Sequence, residues 1–236
     1  MKRRQINEAR RLARMLLEQE YSYSTTQIDI PDPLGDFLLK WGRMNIPDHD
    51  LYYFDDGGGG RETEPHITVL YGLLEPTPSE ELREIVRGTK PFTIALGPIS
   101  FFEQDDHDVV KFTVISEPLK QLSDAIRLAC PNENKYPKYI PHATVAYAKK
   151  GRVDHLKGVM PFEGYPPVPN EFEATRLTFN AAGDGDDPKR KKSHLSFNRT
   201  KNESVEPFKD LWFPAEPSEL ASKILGLKRQ PGKTFV

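Results

Sequence analysis

Apolar residues recur along the chain with two periods, and the switches between them mark out the elements. Ile6, Ala9, Ala13, Leu16 and Leu17 stand at helical spacing within residues 2–20, with Arg3, Arg4, Arg10, Arg11 and Arg14 on the remaining surface. That spacing predicts an amphipathic helix whose basic face is solvated. A Thr- and Ile-rich run over 22–30 predicts a strand. Asp32-Pro33 then supplies an N-cap and a first-turn proline for a helix striped by Leu34, Phe37, Leu38 and Trp41. Thr77-Pro78-Ser79-Glu80 has the form of a capping box with proline at the first helical position, and the helix through Leu82, Ile85 and Val86 should stop at Gly88.

Two strand-like runs follow, 92–102 and 109–115, joined by Glu103-Gln104-Asp105-Asp106-His107-Asp108. The linker reads as a solvated hairpin turn, because contiguous turn residues cannot all face one metal ion. Leu119, Leu122, Ile126 and Ala129 stripe a helix over 118–129. One further strand is predicted over 172–179, pairing with 194–197 across a charged hairpin tip, Gly183-Asp184-Gly185-Asp186-Asp187 and Lys189-Arg190-Lys191-Lys192. That tip lacks the glycine and distal glutamate of a calcium loop. From Pro207 the tail holds Leu211-Trp212-Phe213-Pro214 and a short predicted helix over 218–225. The organisation expected is an N-terminal helix over 1–20, one domain over 21–200 and a tail over 201–236.

One strand pattern occurs twice. Glu64-Pro65-His66-Ile67-Thr68-Val69-Leu70-Tyr71 is answered, 76 positions later, by Ile140-Pro141-His142-Ala143-Thr144-Val145-Ala146-Tyr147. The shared pattern P-H-x-T-V-x-Y marks two halves of one site, each half contributing a strand. Strand alternation puts His66 with Thr68, and His142 with Thr144, on one face. The same parity sends Tyr71 and Tyr147 to the opposite face, so both tyrosines are expected in core packing. Before the first copy, Asp55-Asp56 and the four glycines 57–60 form a loop without the Lys-Ser/Thr ending of a P-loop, read as a flexible edge of the cleft or a plain surface loop.

Two imidazoles and two hydroxyls on one cleft suit acid–base hydrolysis. One histidine takes a proton from a water or hydroxyl while the other gives one to a leaving oxygen, and no metal or other cofactor is required. Threonine hydroxyls donate to the non-bridging oxygens of a phosphoryl group, where negative charge gathers. The expected substrate is a phosphodiester. The near-symmetric pair leaves open which histidine is acid and which is base.

Composition narrows the partner. Net charge is −2 and the sequence pI about 6.3, which offers no global attraction to a long nucleic acid duplex but leaves a small anionic ligand compatible. The 13 Phe and 9 Tyr supply a core despite a mean hydropathy of −0.62. A single cysteine, Cys130, excludes an internal disulfide framework. No apolar run reaches the length of a membrane span and no signal-peptide core follows the basic start, so a cytoplasmic location is expected.

The paired P-H-x-T-V motifs resemble those of the 2H phosphoesterase superfamily, which includes the LigT-like RNA cyclic phosphodiesterases. Residues 60–72, Gly-Arg-Glu-Thr-Glu-Pro-His-Ile-Thr-Val-Leu-Tyr-Gly, are similar to the branch of phage anti-CBASS nucleases, which degrade cyclic oligonucleotide messengers of bacterial immunity. The resemblance covers roughly residues 21–182. It implies an α+β fold of two lobes, each an antiparallel sheet with flanking helices, around a central cleft. It also implies His66 and His142 as the catalytic pair with Thr68 and Thr144 as phosphate-binding companions. The partner expected is a cyclic di- or trinucleotide, or RNA with a 2′,3′-cyclic phosphate end, and no membrane. Tyr23, at the start of the first strand, is the candidate for stacking on a base.

Overall fold

The computed structural model describes residues 23–55, 57–136, 138–163, 169–182 and 191–198, all within the unit Met1–Arg199. The predicted helix over 2–20, most of the last hairpin tip and the tail lie outside the described residues.

Eight strands and three α-helices, with three short 3-10 turns between them, make up the elements described: β1 (Ser24–Asp29), α1 (Leu34–Asn45), β2 (His66–Leu73), α2 (Glu80–Gly88), β3 (Phe92–Glu103), β4 (His107–Ile115), α3 (Glu117–Ala129), β5 (His142–Lys149), β6 (Glu171–Ala174), β7 (Arg176–Asn180) and β8 (Lys192–Ser196). The strands form two antiparallel four-stranded sheets, in the orders β2-β1-β7-β8 and β5-β4-β3-β6. The α+β architecture of two sheets with flanking helices stands as expected. Each motif strand lies at the edge of its sheet, and β2 and β5 pack against one another across the molecule. Among the described residues no helix is long and apolar enough to cross a membrane.

Several element ends differ from the sequence reading. The strand predicted over 172–179 breaks at Thr175 into β6 and β7, which belong to different sheets. Its apolar positions change phase there, from Phe172 and Ala174 to Leu177 and Phe179, as a crossing between sheets demands. Helix α1 begins at Leu34 with Pro33 outside it and no side-chain cap from Asp32. Helix α2 is capped by Ser79, whose Oγ accepts the Leu82 N–H at 3.3 Å, rather than by Thr77. The proline at 78 precedes the cap instead of following it.

Helices close the faces that the sheets turn away from the cleft. Leu119, Leu122 and Ile126 of α3 are buried against β2, and Ser123 Oγ donates to the Val69 carbonyl at 2.7 Å. Helix α1 covers the back of β5, where Trp41 meets the fully buried Phe112 with ring centroids 5.6 Å apart. Gly42 permits that approach: a Cβ built there would stand 2.8 Å from Val145 Cγ1. Valine is stiff about χ1 and cannot easily yield.

Gly42→Ala separates the two effects. Helix propensity alone favours alanine by about 1 kcal/mol, whereas the overlap with Val145 costs about 1–3 kcal/mol. A net loss of stability is expected in urea unfolding, and a net gain would show that α1 has room to move off β5.

Candidate active site

The two P-H-x-T-V-x-Y copies have the same local architecture. His66 opens β2 and His142 opens β5. In each case the ring Nδ1 lies 2.7 Å from the carbonyl two residues earlier, Glu64 for His66 and Ile140 for His142. A carbonyl only accepts, so Nδ1 carries the hydrogen in both rings, and Nε2 is left for the cleft. Thr68 and Thr144 follow on the same face, each half-buried like its histidine. The halves are also tied directly: the Tyr139 hydroxyl, three residues before His142, donates to the Thr68 carbonyl at 2.8 Å. Burial pushes the Tyr139 phenol well above its ordinary range, so it remains a donor. The structure therefore brings His66, Thr68, His142 and Thr144 onto two adjoining strands.

Both tyrosines of the repeat stand on the histidine face, against the parity expectation. In the β1–β2 ladder Gln27 opposes Thr68 while Thr26 opposes Leu70, so Val69 is an extra, unpaired residue. In the β4–β5 ladder Lys111 opposes Thr144 while Val110 opposes Ala146, leaving Val145 unpaired. These are β-bulges at the same motif position, and each shifts the alternation by one. Tyr71 then shares its face with Thr68 and is 49% exposed. Tyr147 opposes Val109 and shares its face with Thr144. Core packing is ruled out for Tyr71 and gives way, for Tyr147, to a half-buried place beside Phe54, ring centroids 5.2 Å apart.

The surroundings of the two histidines differ. Asp29 faces His66 across the ladder and is held by Gln27 Nε2 at 2.7 Å and the Thr178 hydroxyl at 2.6 Å. Asn180 Nδ2 in turn donates to Gln27 Oε1 at 2.7 Å. On the other sheet Phe102 meets the His142 ring edge-on, centroids 4.8 Å apart, and the buried Lys111 Nζ lies 4.1 Å from the Phe102 centroid. Burial holds His142 below the ordinary histidine range; the Ile140 carbonyl opposes this, and the charges of Lys111 and His66 reinforce it.

The flanks of the glycine loop pair with the second motif strand instead of standing free. Tyr52 N–H donates to the Tyr147 carbonyl at 2.9 Å, Tyr147 N–H to Gly60 at 2.7 Å, and Glu62 N–H to the bulge carbonyl of Val145 at 2.9 Å. Gly60 has φ +71°, and a Cβ there would press on the Tyr53 ring, so the turn demands glycine. The turn residues 103–106 are exposed as expected, but His107 is half-buried: its ring stacks on Tyr52 at 4.8 Å and meets Phe54 edge-on. Tyr23 sits at the other end of the β1–β2 ladder from His66, its hydroxyl on Glu133 at 2.5 Å and its ring edge-on to Tyr71 at 5.8 Å. It joins Tyr71, not the histidine pair. Among the described residues no three His, Cys, Asp or Glu are grouped to hold a metal.

Two sheets meeting at paired His-x-Thr strands define the fold of a 2H phosphoesterase. The family model of the 2′-5′ RNA ligase superfamily matches residues 41–185, and the chain belongs to that superfamily. It is by that membership a phosphodiesterase. Among solved structures it is similar to E. coli LigT complexed with 3′-AMP, at 16% identity and TM-score 0.52, over 76% of this chain and 100% of that one. It is also similar to TT0787 of Thermus thermophilus, at 16% identity and TM-score 0.50, over 75% of this chain and 100% of that one. No curated protein matches the chain significantly.

A proton titration tests the site's electrostatics. The Cε1–H resonance of His142 is expected to titrate at lower pH than that of an unfolded peptide bearing the same residue, since burial disfavours the imidazolium. A midpoint at or above the peptide's would show the ring to be hydrated.

Proposed function

We propose that the chain cleaves a small cyclic oligonucleotide messenger by metal-independent acid–base hydrolysis, with His66 and His142 as the proton-transferring pair and Thr68 and Thr144 as phosphate ligands. The observation that carries this reading is the duplicated Nδ1–carbonyl bond, which leaves two Nε2 atoms for one cleft. One Nε2 removes the proton of a water or ribose 2′-hydroxyl as its oxygen bonds to phosphorus. The other donates a proton as the opposite P–O bond breaks. The threonine hydroxyls hold the non-bridging oxygens between them.

A chain without net positive charge suits a compact anion better than a long polymer. Tyr71 and Tyr147 on the histidine face, with Tyr23 edge-on to the first and Phe54 to the second, supply aromatic surface for bases on both sides of the reacting phosphate. The similarity of residues 60–72 to phage anti-CBASS nucleases points to immune evasion in the cytoplasm of a bacterial host. A second reading, opening of 2′,3′-cyclic phosphates on RNA ends, draws on the superfamily's name and on the 3′-AMP in the LigT structure.

Hydrolysis in EDTA of cyclic dinucleotides, cyclic trinucleotides and RNA with a 2′,3′-cyclic phosphate distinguishes them. His66→Ala and His142→Ala are each expected to lower turnover of the messenger on the order of 10³-fold, and Thr68→Ala or Thr144→Ala by about 10²-fold. Activity confined to RNA ends would move the function to RNA processing, and full activity in either histidine variant would sink the mechanism.

A further inference from the structure

Lys111 is a lysine where a soluble fold rarely keeps one. It is 4% exposed, its ammonium donates to Ser100 Oγ at 2.7 Å, and the Phe102 ring covers it. Among the described residues no carboxylate forms an ion pair with it, and loss of water alone lowers its proton affinity. A buried charge without a counter-ion opposes folding and marks a site where the charge itself is used. Its place supports this: Lys111 opposes Thr144 in the β4–β5 ladder, and the next residue on its face, Thr113, opposes His142.

The first motif has the reverse arrangement. There the residue opposite the histidine is Asp29, and the one opposite the threonine is Gln27. The charged or titratable groups acting on His142 are Lys111 from β4 and His66 from β2; β3 contributes the uncharged Ser100 and Phe102, and the approach to β5 contributes the Ile140 carbonyl.

We propose that Lys111 is a positioning residue that breaks the symmetry of the duplicated site, its buried ammonium one row from His142 and against the same Phe102 ring, so that His142 serves as general base and His66 as general acid. This rests on the hydrolytic reading above. In the step so directed, His142 Nε2 takes the proton of the attacking hydroxyl as the new P–O bond forms. His66 Nε2–H protonates the leaving oxygen as the old bond breaks, and solvent exchange resets both rings. The phosphoryl group, held at Thr144, brings the negative charge that Lys111 lacks in the free protein.

The test uses Lys111→Met, which keeps the length and removes the charge, and Lys111→Arg, which keeps the charge. Proton NMR of both histidines and the pH profile of kcat/KM are the readouts. With the ammonium gone, His142 holds its proton to higher pH, so its titration midpoint and the rising limb of the profile both move upward in Lys111→Met. Activity at pH 6 is expected to fall about tenfold or more. Lys111→Arg brings both back toward wild type. If the methionine variant does not fold, Lys111→Gln, which can still bond Ser100, carries the same expectation. An unmoved His142 titration in a folded neutral variant overturns the proposal, as does a rising limb that follows His66. If wild type cleaves no phosphodiester offered, the hydrolytic reading fails by itself, and the NMR titration still decides whether Lys111 governs His142.

Discussion

An imidazole that gives its Nδ1–H to a carbonyl has one nitrogen left for chemistry, and everything about the paired motifs serves to make that happen twice. The carbonyls used, those of Glu64 and Ile140, belong to residues that precede Pro65 and Pro141. Proline confines the residue before it to extended backbone and offers no N–H to the ladder. The chain therefore enters each strand with a carbonyl two residues before the ring and no competing donor at the proline. The Pro-His pair is a device for fixing a tautomer, and its repetition makes the two halves chemically equivalent at the first level of description.

The bulges at Val69 and Val145 make them equivalent at the second. Each inserts one residue after the His-x-Thr segment, so the strand bends and the tyrosine turns to the cleft. The carbonyls freed from the ladder are satisfied differently. Ser123 of α3 takes that of Val69, and the Glu62 N–H from the glycine-loop segment takes that of Val145. One bulge is thus supported by a helix and the other by a tight turn that requires Gly60. The same distortion serves both sheets, with a rigid support in one and an added edge strand in the other.

The legible part of the site was the part carried by spacing. His66, Thr68, His142 and Thr144 lie within one undisturbed stretch of alternation, so their shared face could be read from the motif. The tyrosines could not, because Val69-Leu70 and Val145-Ala146 are apolar pairs, and an apolar pair looks the same whether alternation continues or slips. Asp29, Gln27 and Lys111 were illegible for a different reason: their places depend on which residues oppose the motif strands, and register between distant strands leaves no local signal. Polar residues at alternate positions, Thr25-Gln27-Asp29 in β1 and Arg176-Thr178-Asn180 in β7, were the available hint of a second polar face. The helices α1 to α3 and most strands followed from periodicity, whereas the split of β6 from β7 showed only as a one-residue phase change at Thr175.

Duplication brings a difficulty that the register then resolves. A phosphodiester has distinct entering and leaving oxygens, while two identical half-sites present it with the same groups from both sides. Direction has to come from residues outside the repeat, and the ladder partners are the nearest such residues. A carboxylate stands opposite the first histidine, and a buried ammonium stands one row from the second. The two are not interchangeable: Asp29 is compensated by Gln27, Thr178 and the Arg176 guanidinium 3.8 Å away, whereas among the described residues Lys111 meets a serine hydroxyl and an aromatic face. A charge so weakly compensated is stabilised most by an anion arriving in front of it. The same residue that distinguishes the two histidines thereby favours occupation of the cleft by a phosphoryl group, which couples the direction of the reaction to the binding of its substrate.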